Sequence, residues 1–236
     1  MGISKHGKYL TQITRLGAFN CYMVSEPDGL TLIDTNLPGS SKMILATAQN
    51  HGAKIRRILL THAHGDHAGS LETLKTLIPE VEIMLSSREA PFLAGNHQLK
   101  PSEPQNKAGG NFITTQLQPN HLLEAGERIG SLEVIATPGH TPGHIAFLDT
   151  RDGTIIAGDA MGTISRTWVT GEFIPLFPFP AFATWHKPTA LESAKHLHGL
   201  RPTRLAVGHG KVLEQPQYAM QQAILRIQKT NDTELA

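Results

Sequence analysis

The chain holds a single cysteine, Cys21, in 236 residues, so no disulfide can close within it and no thiolate-based zinc knuckle can be assembled. Cys21 reads as a small buried apolar side chain rather than a reactive thiol. Long apolar runs are also missing. No stretch approaches the roughly 18 to 20 residues that a membrane helix needs, and the opening MGISKHGKYLTQITRLG lacks the apolar core of a secretion signal. A cytoplasmic protein with no membrane partner is the expectation. Charge of one sign is equally scarce: 21 lysines and arginines face 20 acids, for a net charge of +1. That leaves no general attraction to phosphate backbones, and nucleic acid is not an expected partner. Hydrophobic residues make up 39% and charged residues 17%, without a low-complexity tract, which excludes a disordered or fibrous chain. The length suits one large domain or two intimate halves, and residues 1–236 are taken as a single domain.

What the chain does have is histidine, 13 in all, and elements that place it. Residues 19–34, FNCYMVSEPDGLTLID, read as two strands reversed at Pro-Asp-Gly. SSKMILATAQNHG then spaces Ile44, Leu45 and Ala48 as a helix, with serine to cap its front and Gly52 to end it. IRRILLT (55–61) is a buried strand. A second helical stripe, Leu71, Leu74, Leu77 and Ile78, stops at Pro79 before the strand VEIML. Residues 95–121 are rich in Gly, Pro, Asn and Gln and read as a long loop. Three short strands follow, near 132–137, 144–149 and 154–158, forming a second sheet. A helix at Pro188–His198, the strand RLAV and a helix over about 216–230 close the chain. This order predicts an α/β fold, a four-layer αββα sandwich of two sheets covered by helices.

The chemistry concentrates in THAHGDHAGS (61–70), where His62, His64, Asp66 and His67 put four metal-ligand side chains into six positions between a strand end and a helix start. In extended chain, side chains two apart point the same way, so His62 and His64 can grip one ion together. Asp66 and His67 can face a neighbouring position as the loop turns. Farther on, His140 lies in TPGHTPGHI, Asp159 follows the strand of IIAGDA, and His209 lies in AVGHG. Each sits at a strand end beside glycine, where α/β proteins place their chemistry.

This succession, His-x-His-x-Asp-His followed by His, Asp and His, resembles the metallo-β-lactamase superfamily from the hairpin ending at Asp34 through His209. The resemblance implies that His62, His64 and His140 hold one ion, that Asp66, His67 and His209 hold a second, and that Asp159 bridges them. It also implies a dinuclear hydrolase. A divalent ion lowers the pKa of water from about 15.7 towards about 7, so a shared hydroxide can attack a polarised carbonyl at neutral pH. Asp66 would be the catalytic residue that orients this nucleophile and shuttles its proton. Histidine and carboxylate without thiolate suit two Zn²⁺, with manganese, cobalt or iron as substitutes. Asp34 matches a supporting position in similar proteins, or is simply a turn residue. His144 falls outside the seven ligands and is taken as structural. His6, His51, His97, His121, His196 and His198 have no ligand-like context.

Phe173, Phe177, Phe179 and Phe182 are four of the eight phenylalanines and crowd one Pro-rich stretch. They line an apolar substrate pocket, pack against a second subunit in a homodimer, or lie under a sheet. Phe177, Phe179, Phe182, Trp185 and His186 are the candidate substrate contacts. Comparison with subfamilies narrows the chemistry. No cysteine stands near Asp159, as one lactamase type would need, and the histidine-rich lactamases usually have serine where Asp159 stands. Only 27 residues follow His209, too few for the helical domain of glyoxalase II. The tyrosine of quorum-quenching lactonases is absent between Asp159 and His209, and flavin-linked diiron relatives put glutamate at the His64 position. Hydrolysis of an ester, lactone or thioester of a small molecule with an apolar part is expected. The alternatives are β-lactamase-type amide hydrolysis and a mononuclear iron persulfide dioxygenase.

Overall fold

The structure, a computed structural model, describes residues 2–234, with side chains through residue 229. The chain divides into two compact units, one of Met1–His97 with Asn111–Glu124, the other of Gln98–Gly110 with Ala125–Ala236.

The first unit is built on a seven-stranded sheet whose spatial order follows the sequence: β1 (Gly2–His6), β2 (Leu10–Arg15), β3 (Phe19–Glu26), β4 (Gly29–Ile33), β5 (Ile55–Leu59), β6 (Glu82–Ser86) and β7 (His121–Leu123). The β3–β4 hairpin turns where expected, with Glu26 opposite Gly29. Gly29 is obligatory there: at φ +144° a Cβ would lie 2.7 Å from the carbonyl oxygen of Lys54. From β4 onwards the strands run parallel, so the chain must cross over between them. The helices α1 (Ser41–His51) and α2 (Leu71–Leu77) provide two of these crossings. Consequently β4, β5 and β6 all end at one edge of the sheet. Helix α1 buries Ile44, Thr47 and Ala48 and ends at Gly52 in the left-handed region, φ 66°. Ser40 stands at its N-cap position without capping it, because its hydroxyl donates to the Leu37 carbonyl instead, at 2.7 Å. Before the long loop the chain forms one further turn of helix, α3 (Ala90–Leu93).

The second unit has a six-stranded sheet in the order β15-β14-β11-β10-β9-β8, from β8 (Arg128–Ile129), β9 (Leu132–Ala136), β10 (Ile145–Asp149), β11 (Thr154–Ile156), β14 (Arg204–Ala206) and β15 (Leu213–Glu214). A separate ribbon pairs β12 (Met161–Gly162) with β13 (Trp168–Val169). Strand β10 runs antiparallel to both β9 and β11, while β11 and β14 are parallel. Strands β9, β11 and β14 therefore also end at one common edge. The core of this unit joins Ile135, Ala146, Ile155 and Leu205 of the sheet to Leu191, Ala194 and Leu197 of α5 (Lys187–Gly199) and Met220, Ala223 and Ile224 of α6 (Gln217–Glu234). Within the Phe-rich stretch lies a short helix, α4 (Phe179–Ala183). Among the described residues no helix is long and apolar enough to cross a membrane.

Candidate metal centre

In the first unit the histidine loop leaves the end of β5 beside the end of β4. Asp34, at φ 60°, turns its carboxylate towards the loop that starts at Thr61. Its Oδ1 accepts from the Thr61 backbone N–H at 2.8 Å, and the Thr61 hydroxyl reaches Oδ2 at 2.9 Å. Oδ2 also lies 2.7 Å from His67 Nδ1. A carboxylate accepts, so His67 carries its proton on Nδ1 and presents Nε2 as a lone pair, the form a metal requires. The loop is latched further by Thr35, whose hydroxyl donates to the His67 carbonyl at 3.0 Å. Gly69 fits because it has no side chain: a Cβ would sit 2.2 Å from the Gly65 oxygen.

His62 and His64 converge, with His62 Nε2 3.0 Å from His64 Nδ1. Two ligands on a tetrahedral ion at about 2.0–2.1 Å each would stand roughly 3.3 Å apart, so a small spread of these rings admits one. The His62 and His67 rings are 4.1 Å apart, and His67 Nε2 lies 3.8 Å from Asp66 Oδ2. All three imidazoles are buried, whereas the Asp66 side chain keeps 26% of its surface exposed. Glu89, wholly buried, accepts from the Ala63 N–H at 3.0 Å and so fixes the backbone between the first two histidines.

The second unit brings three further candidates together. His140 follows β9, Asp159 follows β11 and His209 follows β14, so the shared edge brings them together. Asp159 Oδ2 lies 3.0 Å from His209 Nε2 and 3.4 Å from His140 Nε2. One carboxylate oxygen thus faces two imidazole nitrogens. The Nδ1 of His140 is engaged by the Thr170 hydroxyl at 3.0 Å, and Thr170 in turn meets Thr184 at 2.8 Å. The donor chemistry suits a divalent ion of intermediate softness: imidazoles, of which His67 and His140 are held by their other nitrogen, carboxylates, and no thiolate.

Both ring nitrogens of His144 are engaged. Its Nε2 accepts the Asp159 backbone N–H at 3.0 Å, which leaves the ring proton on Nδ1 to donate to Thr137 Oγ1 at 2.8 Å. Both ring nitrogens are spent on positioning Asp159 and the turn before His140.

The five candidate substrate contacts fall into three groups. Phe177 is buried with its ring centroid 4.7 Å from that of His209, and exposed Phe179 stands edge-on to Phe177 at 5.4 Å. Exposed Phe182 pairs instead with Phe173, at 6.1 Å. Trp185 and His186 zip onto the His140 turn: their backbone N–H groups donate to the carbonyls of His140 and Gly139, both at 2.9 Å. His186 also caps α5, its Nδ1 accepting from the Thr189 N–H at 3.3 Å. Thr61, Glu89, Thr170 and Thr184 are not legible in the sequence, because a threonine or glutamate in a loop carries no local mark of its partner.

These observations have a counterpart in known proteins. The sequence profile described as the metallo-beta-lactamase superfamily matches residues 15–209. The chain belongs to the metallo-β-lactamase superfamily. Among curated relatives, "Uncharacterized protein YobT" of Bacillus subtilis (strain 168) is 48% identical over 93% of this chain and 95% of its own. "Probable metallo-hydrolase YflN" of the same organism is 32% identical over 81% of this chain and 80% of its own. Among solved structures, the di-iron-bound form of TTHA1623 is 28% identical, covers 90% of this chain and 97% of its own, and superposes with a TM-score of 0.65. The expected fold class is therefore met, and with the superfamily comes the coarse functional class of a metallo-hydrolase.

Proposed function

We propose that this member of the superfamily is a dinuclear hydrolase that opens an ester, lactone or thioester bond in a small molecule with an apolar part. His62, His64 and His140 would hold one ion, Asp66, His67 and His209 the other, and Asp159 both. The observation that carries the reading is the orientation of the imidazoles: His67 Nδ1 is spent on Asp34 and His140 Nδ1 on Thr170, so in each ring Nε2 is left to face the site. Such locked rings are what a metal centre needs and what a merely polar loop would not require.

When bound, the ions acidify water and polarise the scissile carbonyl. The chain's own groups do the rest. Asp66, whose carboxylate alone among the loop ligands keeps partial access to solvent, orients the attacking water, takes its proton and returns it to the leaving group. Asp34 and Thr170 hold imidazoles in one tautomer and one orientation. Phe177, packed beside His209, supplies an apolar wall for the substrate.

Zinc is the metal best suited to this donor set, and the di-iron form of TTHA1623 makes iron its main rival. The test is one preparation assayed twice, for metal identity and for turnover of an ester, thioester, lactone and lactam panel, with oxygen uptake recorded alongside. Two zinc ions per chain, ester-type turnover and its loss in Asp66→Asn support the reading. A single iron with oxygen uptake, or turnover unchanged in Asp66→Asn, contradicts it.

A further inference from the structure

The second unit contains a concavity that none of the candidate ligands lines. It has a volume of about 560 Å³ and lies between the segment after β13, helix α4 and helix α6. That size is within the roughly 300–1,000 Å³ of small-molecule sites. Its charge sets it apart from the rest of the protein. Arg166, Lys187, Arg226 and Lys229 line it against one carboxylate, Glu172, in a chain whose net charge is only +1.

Like charges repel, so such a cluster persists only if something holds it. Glu172, its side chain 9% exposed, places Oε1 2.7 Å from Arg166 and 3.1 Å from Arg226. Arg226 donates in addition to the Thr167 carbonyl. The two guanidiniums are thereby fixed side by side before any ligand arrives, which lowers the ordering cost of binding. Lys187 is exposed, makes no ion pair among the described residues, and adds a further positive charge. Apart from Thr170, the remaining wall is apolar. Phe173 and Phe182, 56% and 74% exposed, also line the cavity and meet edge to face.

Forked guanidiniums recognise planar oxyanions, and exposed aromatic faces beside them ask for an apolar chain. We propose that this cavity binds an amphipathic carboxylate, its head on Lys187 and the Arg166–Arg226 pair and its alkyl or aryl tail against Phe173 and Phe182. The site stands on the second unit alone and holds whichever bond the enzyme cleaves.

The test is calorimetric titration of octanoate, with octanol as the uncharged probe, into metal-saturated and metal-stripped protein. Wild type is compared with Lys187→Glu, with Phe182→Ser, and with Lys54→Glu as a charge reversal in the other unit. Lys187 and Phe182 are exposed, so their replacement spares the fold. Binding of octanoate with or without metal, weakened about tenfold or more by Lys187→Glu and Phe182→Ser and untouched by Lys54→Glu, with octanol weaker by a similar factor, supports the proposal. Octanoate bound no better than about 1 mM, bound equally by Lys187→Glu, or bound only by metal-saturated protein overturns it.

Discussion

Asp34 and His67, 33 positions apart in the chain, are joined through a 2.7 Å contact between Oδ2 and Nδ1. Asp34 reaches this place from a left-handed backbone conformation, φ 60°, at the end of β4. Its carboxylate also receives the N–H and hydroxyl of Thr61. One side chain thus ties the end of one parallel strand to the start of the histidine loop that follows its neighbour.

Replacing Asp34 with asparagine keeps a residue that tolerates the left-handed region but exchanges the carboxylate for a neutral amide. Affinity for metal, measured by chelator competition, should fall about 10–100-fold while the circular dichroism spectrum stays that of the wild type. Unaltered affinity would show that Asp34 serves the turn alone.

His144→Leu should reduce turnover without lowering the amount of metal bound at saturation. The substitution leaves the Asp159 N–H and the Thr137 hydroxyl without the ring that joins them, at a cost of about 1–3 kcal/mol in denaturant unfolding. Loss of one ion per chain would instead make His144 a ligand.

Gly139→Ala should destabilise the protein by about 3 kcal/mol or more, read as a fall in the midpoint of urea unfolding. At φ +135° a Cβ there would lie 2.4 Å from the Ala190 backbone of α5. A neutral substitution would mean that α5 does not press on the His140 turn.

Burial, then the negative charge of Asp34, pushes the Cys21 thiol well above its ordinary value of 9.0. The folded state keeps that proton and the unfolded chain loses it near pH 9, so stability is intact below that pH and declines as pH rises above it. Cys21→Ala should make the decline shallower between about pH 9 and 11 in urea midpoints. An identical slope would assign the alkaline loss to other groups. Native protein should also resist thiol reagents, as the sequence led us to expect of Cys21.

Why some of this was legible in advance and some was not follows from the range of each interaction. Helices α1 and α5 bury an apolar face and strands β9 to β11 are short, largely buried apolar runs, local properties written in consecutive residues. The β1–β2 hairpin has no such mark, since β1 lies almost wholly exposed and gains its place by pairing with β2. The two-residue strands β8, β12, β13 and β15 are shorter than any period. Ser40 reads as a cap until the Leu37 carbonyl competes for its hydroxyl. The seven candidate ligands announce themselves by density and by glycine at strand ends. Asp34 reads equally as a turn former, and Glu89 and Thr170 act across 26 and 30 positions, distances over which no pattern in the sequence reaches.

The central claim is tested most directly by the metal content of the saturated protein after gel filtration, measured by mass spectrometry for wild type and His209→Ala. Two ions per chain in the wild type, falling to one in His209→Ala with loss of turnover, is the predicted result. A wild type that retains no metal, or the same ratio in both proteins, would contradict the account.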